Sequence, residues 1–136
     1  MAAQTVEFEL VSPESLLRSQ SVAMVVVPGS EGDFGVLPQH AALISSVRPG
    51  VISVYESDRH QVSDRIFIAG GFAEVTPQRC TILAQVAIPL SEIDKADAQQ
   101  EVADAREDLA DAKGDIERKH VAERLAIAEA KLHAVS

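Results

Sequence analysis

Hydrophobic and polar residues alternate through the first two thirds of this chain in short stretches that favour β-strands. In residues 5–10, Val6, Phe8 and Leu10 share one face and polar residues share the other, which is the period of a half-buried strand. Residues 21–27 form a run rich in β-branched side chains, typical of a strand covered on both faces. Further strands are predicted at residues 42–47, 51–56, 61–69, 72–75 and 80–86. Short strands separated by turns predict an all-β sandwich or flattened barrel.

The periodicity changes near residue 90. No proline or aromatic residue follows Pro89, and eleven of the 46 residues from Ser91 onward are alanine. Apolar residues now recur at steps of three and four with an interruption at Gly114, which indicates two helices. We expect Ser91 to cap the first helix and Asp115 to cap the second.

Two apolar stripes predict how these helices pair as an antiparallel hairpin. Many members of the stripes are alanine, so the hairpin buries little apolar area and is expected to be weakly held. The stripes are Val102, Ala105, Leu109 and Ala112, then Val121, Leu125, Ala128, Leu132 and Val135. We assign residues 1–89 to an all-β sandwich domain and residues 90–136 to a two-helix antiparallel hairpin.

Charge and composition exclude several classes of partner. The formal net charge is −9, so a nucleic acid or an anionic membrane surface is not an expected partner. The single cysteine, Cys80, excludes an internal disulfide and fits a reducing compartment. We expect no secretory signal, and no apolar run is long enough to cross a bilayer. Any membrane association is therefore expected to go through a partner, without direct membrane insertion.

Residues 27–49 form the stretch with the most unusual composition. They hold three of the seven glycines and three of the six prolines, around Glu31, Asp33 and His40. The prolines Pro28 and Pro38 are expected to keep this stretch out of any central ladder. The apolar residues within it should hold it against a core, so that the three titratable side chains project from a rigid platform suited to contact with a partner.

Two other interpretations of this platform compete with partner contact. Its glycines follow the spacing G-x-x-G-x-x-G, which is neither a P-loop nor a dinucleotide fingerprint. Glu31 and Asp33 would repel a phosphate, so phosphate binding is disfavoured. On spacing alone, a well-packed surface turn without a role is the simplest interpretation.

No constellation in the sequence predicts catalysis. None of the four histidines pairs with another at metal-ligand spacing, and no G-x-S-x-G motif is present. The acidic residues of the first helix are expected to form a solvated face. We therefore expect a protein that is not an enzyme and has no metal and no cofactor.

Several blocks of sequence resemble a known family. They are P-G-S-E-G-D-F-G-V-L-P-Q-H-A-A-L-I, R-P-G-V-I, G-G-F-A-E-V-T-P and T-I-L-A, in the order and spacing of that family. This pattern is similar to the epsilon subunit of bacterial F-type ATP synthase. The resemblance implies a β-sandwich and a helical hairpin, which agrees with the predicted elements. It implies a non-catalytic central-stalk (rotor) subunit that couples proton flow to ATP synthesis.

The resemblance also implies partners and site residues. The polar loops of the c-ring would contact Glu31, Asp33 and His40, and the gamma subunit would contact Ile44 and Ser45. For His40 the alternative is a turn histidine bonded to local backbone. The implied location is peripheral, on the cytoplasmic face of the bacterial inner membrane.

The resemblance further implies that the hairpin regulates ATP hydrolysis by reaching the alpha/beta catalytic hexamer. Some family members bind ATP through a motif of the form I-D-x-x-R-A, matched here by Ile93, Asp94 and Ala98. Asp97 occupies the arginine position, and its carboxylate would repel phosphate, so weak or absent ATP binding is predicted. Basic and acidic residues balance in the second helix, so strong inhibition is less expected than coupling and assembly.

A stand-alone sensor of a small ligand such as a nucleotide, with the hairpin as a lid, is the competing functional hypothesis. It predicts a monomer with its own ligand affinity. The rotor-subunit hypothesis predicts a chain that purifies with a large ATPase.

Overall fold

Eight strands and two helices follow one another along the chain in the computed structural model, which describes residues 4–136. The chain divides into two units, Met1–Pro89 with the strands and Leu90–Ser136 with the helices. The elements are β1 (Val6–Val11), β2 (Leu16–Val22), β3 (Met24–Gly29), β4 (Gly32–Val36), β5 (Leu43–Ser46), β6 (Gly50–Tyr55), β7 (Asp64–Val75), β8 (Arg79–Pro89), α1 (Lys95–Asp111) and α2 (Asp115–Ala134). The predicted fold class, an all-β sandwich followed by two helices, is confirmed.

The long strand β7 organises the sheet. The strand order is β2-β1-β8-β7-β6-β3-β4, and β5 also pairs with β7. Strand β6 pairs with residues 64–68 of β7, whereas β5 pairs with residues 72–75. Gly70 and Gly71 lie between these two halves with φ angles of 70° and 157°. One strand thereby serves both layers of the sandwich.

The core lies between the layers and is built from the alternating inward positions of the strands. Val6, Phe8 and Leu10 of β1 are fully buried, as their period of two predicts. They form one cluster with buried residues from the other strands, among them Val25, Val27, Val36, Ile52, Val54, Ile66, Ile68, Val75, Cys80 and Ile82. Strand alternation therefore accounts for most of the core.

Residues 21–27 are not one strand, contrary to the sequence prediction. Strand β2 ends at Val22 and β3 begins at Met24. Most of β2 was not predicted, because Arg18 and Gln20 occupy positions opposite the buried residues of β1. Arg18 is satisfied by an ion pair with Asp64, with 2.5 Å between Nη1 and Oδ2. An edge strand with polar inward positions lacks the hydrophobic alternation on which prediction depends.

Part of the glycine-rich stretch forms a β-hairpin at one end of the sheet, and Pro28 lies outside the central ladder, as expected. Strand β4 pairs with β3 and forms one end of the strand order. Pro28 pairs with Asp33, but it lies beyond Met24–Val26, the part of β3 that pairs with β6. Its missing N–H therefore removes no hydrogen bond from a central ladder.

The segments on either side of Gly70 and Gly71, predicted as two strands, form the single strand β7. The ladder with β8 keeps its register through this point, from Ala69 opposite Val86 to Gly71 opposite Ala84. The glycines bend the strand without ending it, because positive φ angles are available to glycine at little cost.

Both predicted helix caps differ from the structure. Asp94, rather than Ser91, caps α1, and its Oδ1 accepts the backbone N–H of Asp97 at 3.0 Å. Gly114, rather than Asp115, precedes α2 as its cap. Residues 90–92 form a short 3-10 turn before α1, which displaces the start of the helix.

Two ion pairs link α1 to α2. Lys131 Nζ lies 2.8 Å from a carboxylate oxygen of Glu101, and Arg124 pairs with Asp108. Glu101 precedes Asp108, whereas its partner Lys131 follows Arg124, so the helices run antiparallel as predicted. The buried residues of the two helices, with Ala112 that follows α1, are mostly alanine: Ala98, Val102, Ala105, Ala112 and Ala128.

The bend of β7 predicts a sharp difference between two adjacent glycines. A Cβ at Gly71 would lie 1.7 Å from the Leu83 carbonyl oxygen, so Gly71→Ala should destabilise the sandwich by at least about 3 kcal/mol. A Cβ at Gly70 would meet only the side chain of Gln85 at 3.4 Å or more, so Gly70→Ala should cost about 1–2 kcal/mol of backbone strain. Denaturant unfolding followed by the fluorescence of Tyr55, the single tyrosine, measures both. Equal losses of unfolding free energy in the two variants would contradict the close approach of Gly71 to the Leu83 carbonyl oxygen.

Candidate functional site

The β3–β4 hairpin carries a tight turn, residues 29–33, here called the contact turn. Gly29 pairs with Gly32, which leaves Ser30 and Glu31 as the two loop residues. Gly32 has φ +134°, a conformation that favours glycine. A Cβ at Gly29 would lie 2.8 Å from the Gly32 carbonyl oxygen and 2.9 Å from the Phe34 ring. The two glycines therefore permit a turn that is tighter than other residues would allow.

Side chains and backbone hold the contact turn from both sides. Val36 is fully buried and Phe34 packs against the core cluster. The N–H of Ser30 donates to the Ser46 carbonyl oxygen at 2.9 Å, which joins the turn to the end of β5. Asp33 forms an ion pair with Arg48. The expectation of a braced platform agrees with these contacts.

His40 follows a second turn, which begins at Leu37. The N–H of His40 donates to the Leu37 carbonyl oxygen at 3.1 Å, with Pro38 and then Gln39 between them. Gln39 has φ 69°, the positive angle that the third residue of a type II turn requires. His40 Nδ1 lies 2.6 Å from the Ala41 carbonyl oxygen. Because a carbonyl only accepts, Nδ1 carries the proton and Nε2 is left for another partner.

An open groove of about 510 Å³ lies between the contact turn and β5. One wall carries the carboxylates of Glu31 and Asp33, and the other carries Ile44 and Ser45. The structure thus brings together four of the five residues expected to contact partners. His40 is not among the residues that line the groove. Carboxylates beside an apolar wall suit a ligand that carries a cationic or amide group next to apolar atoms.

Exposed and half-buried apolar side chains continue from Ile44 across the outer face of one layer. Ile44 is 72% exposed, and Phe72 of the adjacent strand is 43% exposed. Cross-strand pairs extend this row from Phe72 to Leu83, Val11 and Leu16. We call these five residues the outer apolar row. Neighbouring apolar side chains on the outer face of a sheet are a common feature of interaction sites, and no local pattern in the sequence reveals this row.

The described residues 4–136 show no features of a metal site or of a membrane span. Within this range no three side chains of His, Cys, Asp or Glu lie in a position to hold a metal ion. None of the helices there is long and apolar enough to span a bilayer. Cys80 is fully buried, and burial raises the pKa of its thiol to about 12.

The nucleotide motif lies at the start of α1, in the helical unit. The Asp94 carboxylate caps the helix, so it is engaged by backbone. Asp97 is exposed in the first turn and Ala98 is buried. Ile93 is held by its backbone N–H, which donates to the Leu90 carbonyl oxygen at 3.1 Å. This arrangement offers two carboxylates, and no arginine, to an incoming phosphate.

Comparison with known proteins decides the family. A model described as the beta-sandwich domain of the ATP synthase Delta/Epsilon chain matches residues 5–90. A second, described as the C-terminal domain of the ATP synthase epsilon chain, matches residues 94–136. The chain belongs to the epsilon-subunit family of ATP synthases. The family resemblance expected from the sequence blocks is thereby confirmed.

Relatives of similar length support membership of the epsilon family. The ATP synthase epsilon chain of Rhodospirillum centenum is 53% identical, over 98% of this chain and 94% of that one. The epsilon chain of Rhodospirillum rubrum is 52% identical over 97% of each chain. A chain in the Euglena gracilis mitochondrial ATP synthase structure (OSCP/F1/c-ring) superposes with TM-score 0.84 and 25% identity, over all of this chain and 84% of that one.

The carboxylates at the start of α1 predict that this epsilon-family chain does not bind ATP tightly. We expect no saturable ATP binding by wild type in calorimetric titration, because Asp97 repels the phosphates. Asp97→Arg should tighten binding at least about 10-fold, since it removes a like charge and adds a fork of donors. Asp111→Arg makes the same charge change at the far end of α1 and should have little effect. Tight binding by wild type, or equal gains in both variants, would contradict this prediction.

Proposed function

We propose that this chain is a non-catalytic central-stalk subunit of an F-type, proton-translocating ATP synthase. It joins the gamma subunit to the c-ring and couples proton flow to ATP synthesis. The observation that carries the proposal is the pair of family matches, which together span residues 5–90 and 94–136. A stand-alone ligand sensor is disfavoured, because relatives similar over nearly the whole chain are ATP synthase epsilon chains.

The c-ring contact is proposed at the contact turn. Glu31 and Asp33 present carboxylates at the tip of a braced hairpin, where they accept hydrogen bonds from Arg or Gln side chains of polar ring loops. His40 presents Nε2 from the next turn along the chain. A joint that transmits torque requires stiffness, and a turn tied to β5 and to the core is stiffer than a long loop.

The gamma contact is proposed on the other wall of the groove. Ile44 and Ser45 lie on β5, and the outer apolar row continues from Ile44 across the layer. An apolar row of this length can provide the hydrophobic centre of a protein interface, surrounded by polar residues such as Glu74 and Thr81. In this arrangement the two partners meet the chain on either side of one groove.

The two units are proposed to have separate roles, with residues 1–89 carrying assembly and residues 90–136 carrying any regulation. In α2, Arg118, Lys119, Arg124 and Lys131 balance Asp115, Glu117, Glu123 and Glu129. Since the charges cancel, attraction to an acidic surface of the catalytic hexamer is weak. The assembled subunit is peripheral on the cytoplasmic face of the bacterial inner membrane.

Reconstitution tests this function directly. The soluble catalytic complex that lacks this subunit is assayed for ATP hydrolysis alone, with the full-length chain, and with residues 1–90. Full-length chain and truncation should bind alike and change the rate alike. Slowing by the full-length chain alone would show that the hairpin inhibits, and failure of both to bind would refute the rotor-subunit function.

Substitutions of two exposed isoleucines, one in each unit, are compared in the same binding experiment. Ile44→Glu should weaken binding at least about 10-fold, because it places a charge in the proposed gamma interface. Ile116→Glu alters a side chain of similar exposure (79%) in the hairpin and should bind as wild type does. Equal effects of the two variants would contradict the assigned gamma surface.

A further inference from the structure

Arg48 connects the contact turn to the rest of the sandwich at three points. It lies between β5 and β6, and its backbone N–H donates to the Pro28 carbonyl oxygen at 2.9 Å. Its guanidinium Nη1 donates to the Gly29 carbonyl oxygen at 2.6 Å. The other terminal nitrogen, Nη2, donates to the carboxylate of Asp33. One side chain thereby holds both strands of the hairpin, one on each side of the two loop residues.

The planar guanidinium suits this task in a way that other side chains do not. Its donors are fixed in a fork, so the Gly29 carbonyl and the Asp33 carboxylate are held at a set separation. The other hydrogen bonds from the rest of the sandwich to the turn are backbone contacts on the β3 side, from Ser30 to Ser46 and from Gly29 to Val47. On the β4 side Phe34 packs against the core, and the Arg48 side chain adds the hydrogen bond to Asp33.

The ion pair contributes little to overall stability. The side chains of Arg48 and Asp33 are 43% and 59% exposed, and ion pairs as exposed as this one add little to the stability of a fold. The consequence of the pair lies instead in the shape of the turn and in the charge that it presents. Its removal should leave the fold intact, so variants at these positions are suitable for functional tests.

Arg48 also makes the two carboxylates of the groove unequal. The charge of Asp33 is balanced by the adjacent guanidinium. Glu31 is exposed in the loop and forms no ion pair or hydrogen bond through its side chain with the described residues 4–136. A cationic group that enters the groove therefore meets a compensated carboxylate at Asp33 and an uncompensated one at Glu31.

We propose that Arg48 is a positioning residue that sets the shape and charge of the contact turn, so that Glu31 rather than Asp33 supplies the carboxylate that binds a cationic side chain of the ring. This proposal rests on the proposed function, in which the contact turn meets the c-ring. It assigns different roles to two acidic residues that the sequence treats alike. It also assigns a role to Arg48, which the sequence shows only as the first residue of the block R-P-G-V-I.

The first test uses the full-length chain without any partner. Backbone order parameters are measured by NMR for residues 30–32 in wild type, Arg48→Gln and Arg48→Lys. In Arg48→Gln they should fall from about 0.85 to below about 0.6, with an intermediate value in Arg48→Lys, which keeps the charge and loses the fork. Residues of the core, such as Val25, should be unchanged. A turn that stays rigid in Arg48→Gln would overturn the positioning role, whatever the function of the chain.

The second test measures the affinity of each variant for a gamma–c-ring complex that lacks this subunit, at two salt concentrations. Glu31→Gln should weaken binding about 10-fold at low salt and reduce the salt dependence, as expected for loss of a charge-assisted hydrogen bond. Asp33→Asn should weaken binding less than about 3-fold, because the charge of Asp33 is already balanced by Arg48. Glu56→Gln removes an exposed carboxylate at the opposite end of the β3–β6 pair and should have no effect.

The outcomes separate this proposal from the proposed function. A loss in Asp33→Asn equal to or greater than that in Glu31→Gln would overturn the charge assignment while the ring contact stands. Failure of wild type to bind the complex would refute the ring contact itself, and the order parameters would still decide whether Arg48 positions the turn.

Discussion

The close approach of Gly71 to the backbone of Leu83 is the constraint on which the sandwich depends. No side chain fits between the Gly71 Cα and the Leu83 carbonyl oxygen, so β7 and β8 bend together at this point. The bend lets the first half of β7 pair with β6 and the second half pair with β5. Two strands thereby close two layers around one core without a change of register between β7 and β8.

The same bend sets the geometry of the candidate site. The wall of the groove that carries Ile44 is β5, which pairs with the second half of β7. The opposite wall belongs to the β3–β4 hairpin, which is attached through β6 to the first half. The separation of the proposed gamma and ring contacts is therefore fixed by the core of the sandwich. This is the mechanical property that a rotor joint needs, because surfaces held by a rigid scaffold transmit force with little local motion.

Local patterns predict the elements whose signals are local. The alternation of Val6, Phe8 and Leu10 predicts β1, and the three- and four-residue spacing after residue 90 predicts both helices. Strand β2 cannot be predicted in this way, because the polar side chain of Arg18 faces inward. Its ion-pair partner, Asp64, lies 46 residues away in the sequence. The helix caps were wrong by small shifts, since a 3-10 turn separates Ser91 from the start of α1 and Gly114, with φ 84°, takes the cap position before Asp115.

The candidate site was predictable only in part, for the same physical reason. The glycines and prolines of the contact turn are evident in the sequence, and so are the carboxylates that it exposes. Arg48 bonds to Gly29 and Asp33, which are 19 and 15 residues away, so no short motif reveals it. The outer apolar row is likewise assembled from five strands, and only the register of the sheet places Ile44, Phe72 and Leu16 on one surface.

The central claim is that the contact turn faces the ring in the assembled synthase, and site-specific photo-cross-linking tests it most directly. Cys80 is fully buried and its thiol pKa is about 12, so a cysteine introduced on the surface is the one that reacts. Glu31→Cys carries a photoreactive group on the contact turn, and Glu56→Cys carries it at the opposite end of the β3–β6 pair. We predict that illumination of the assembled complex links position 31, and not position 56, to the c subunit. Equal products at both positions, or none with the c subunit at position 31, would contradict the account.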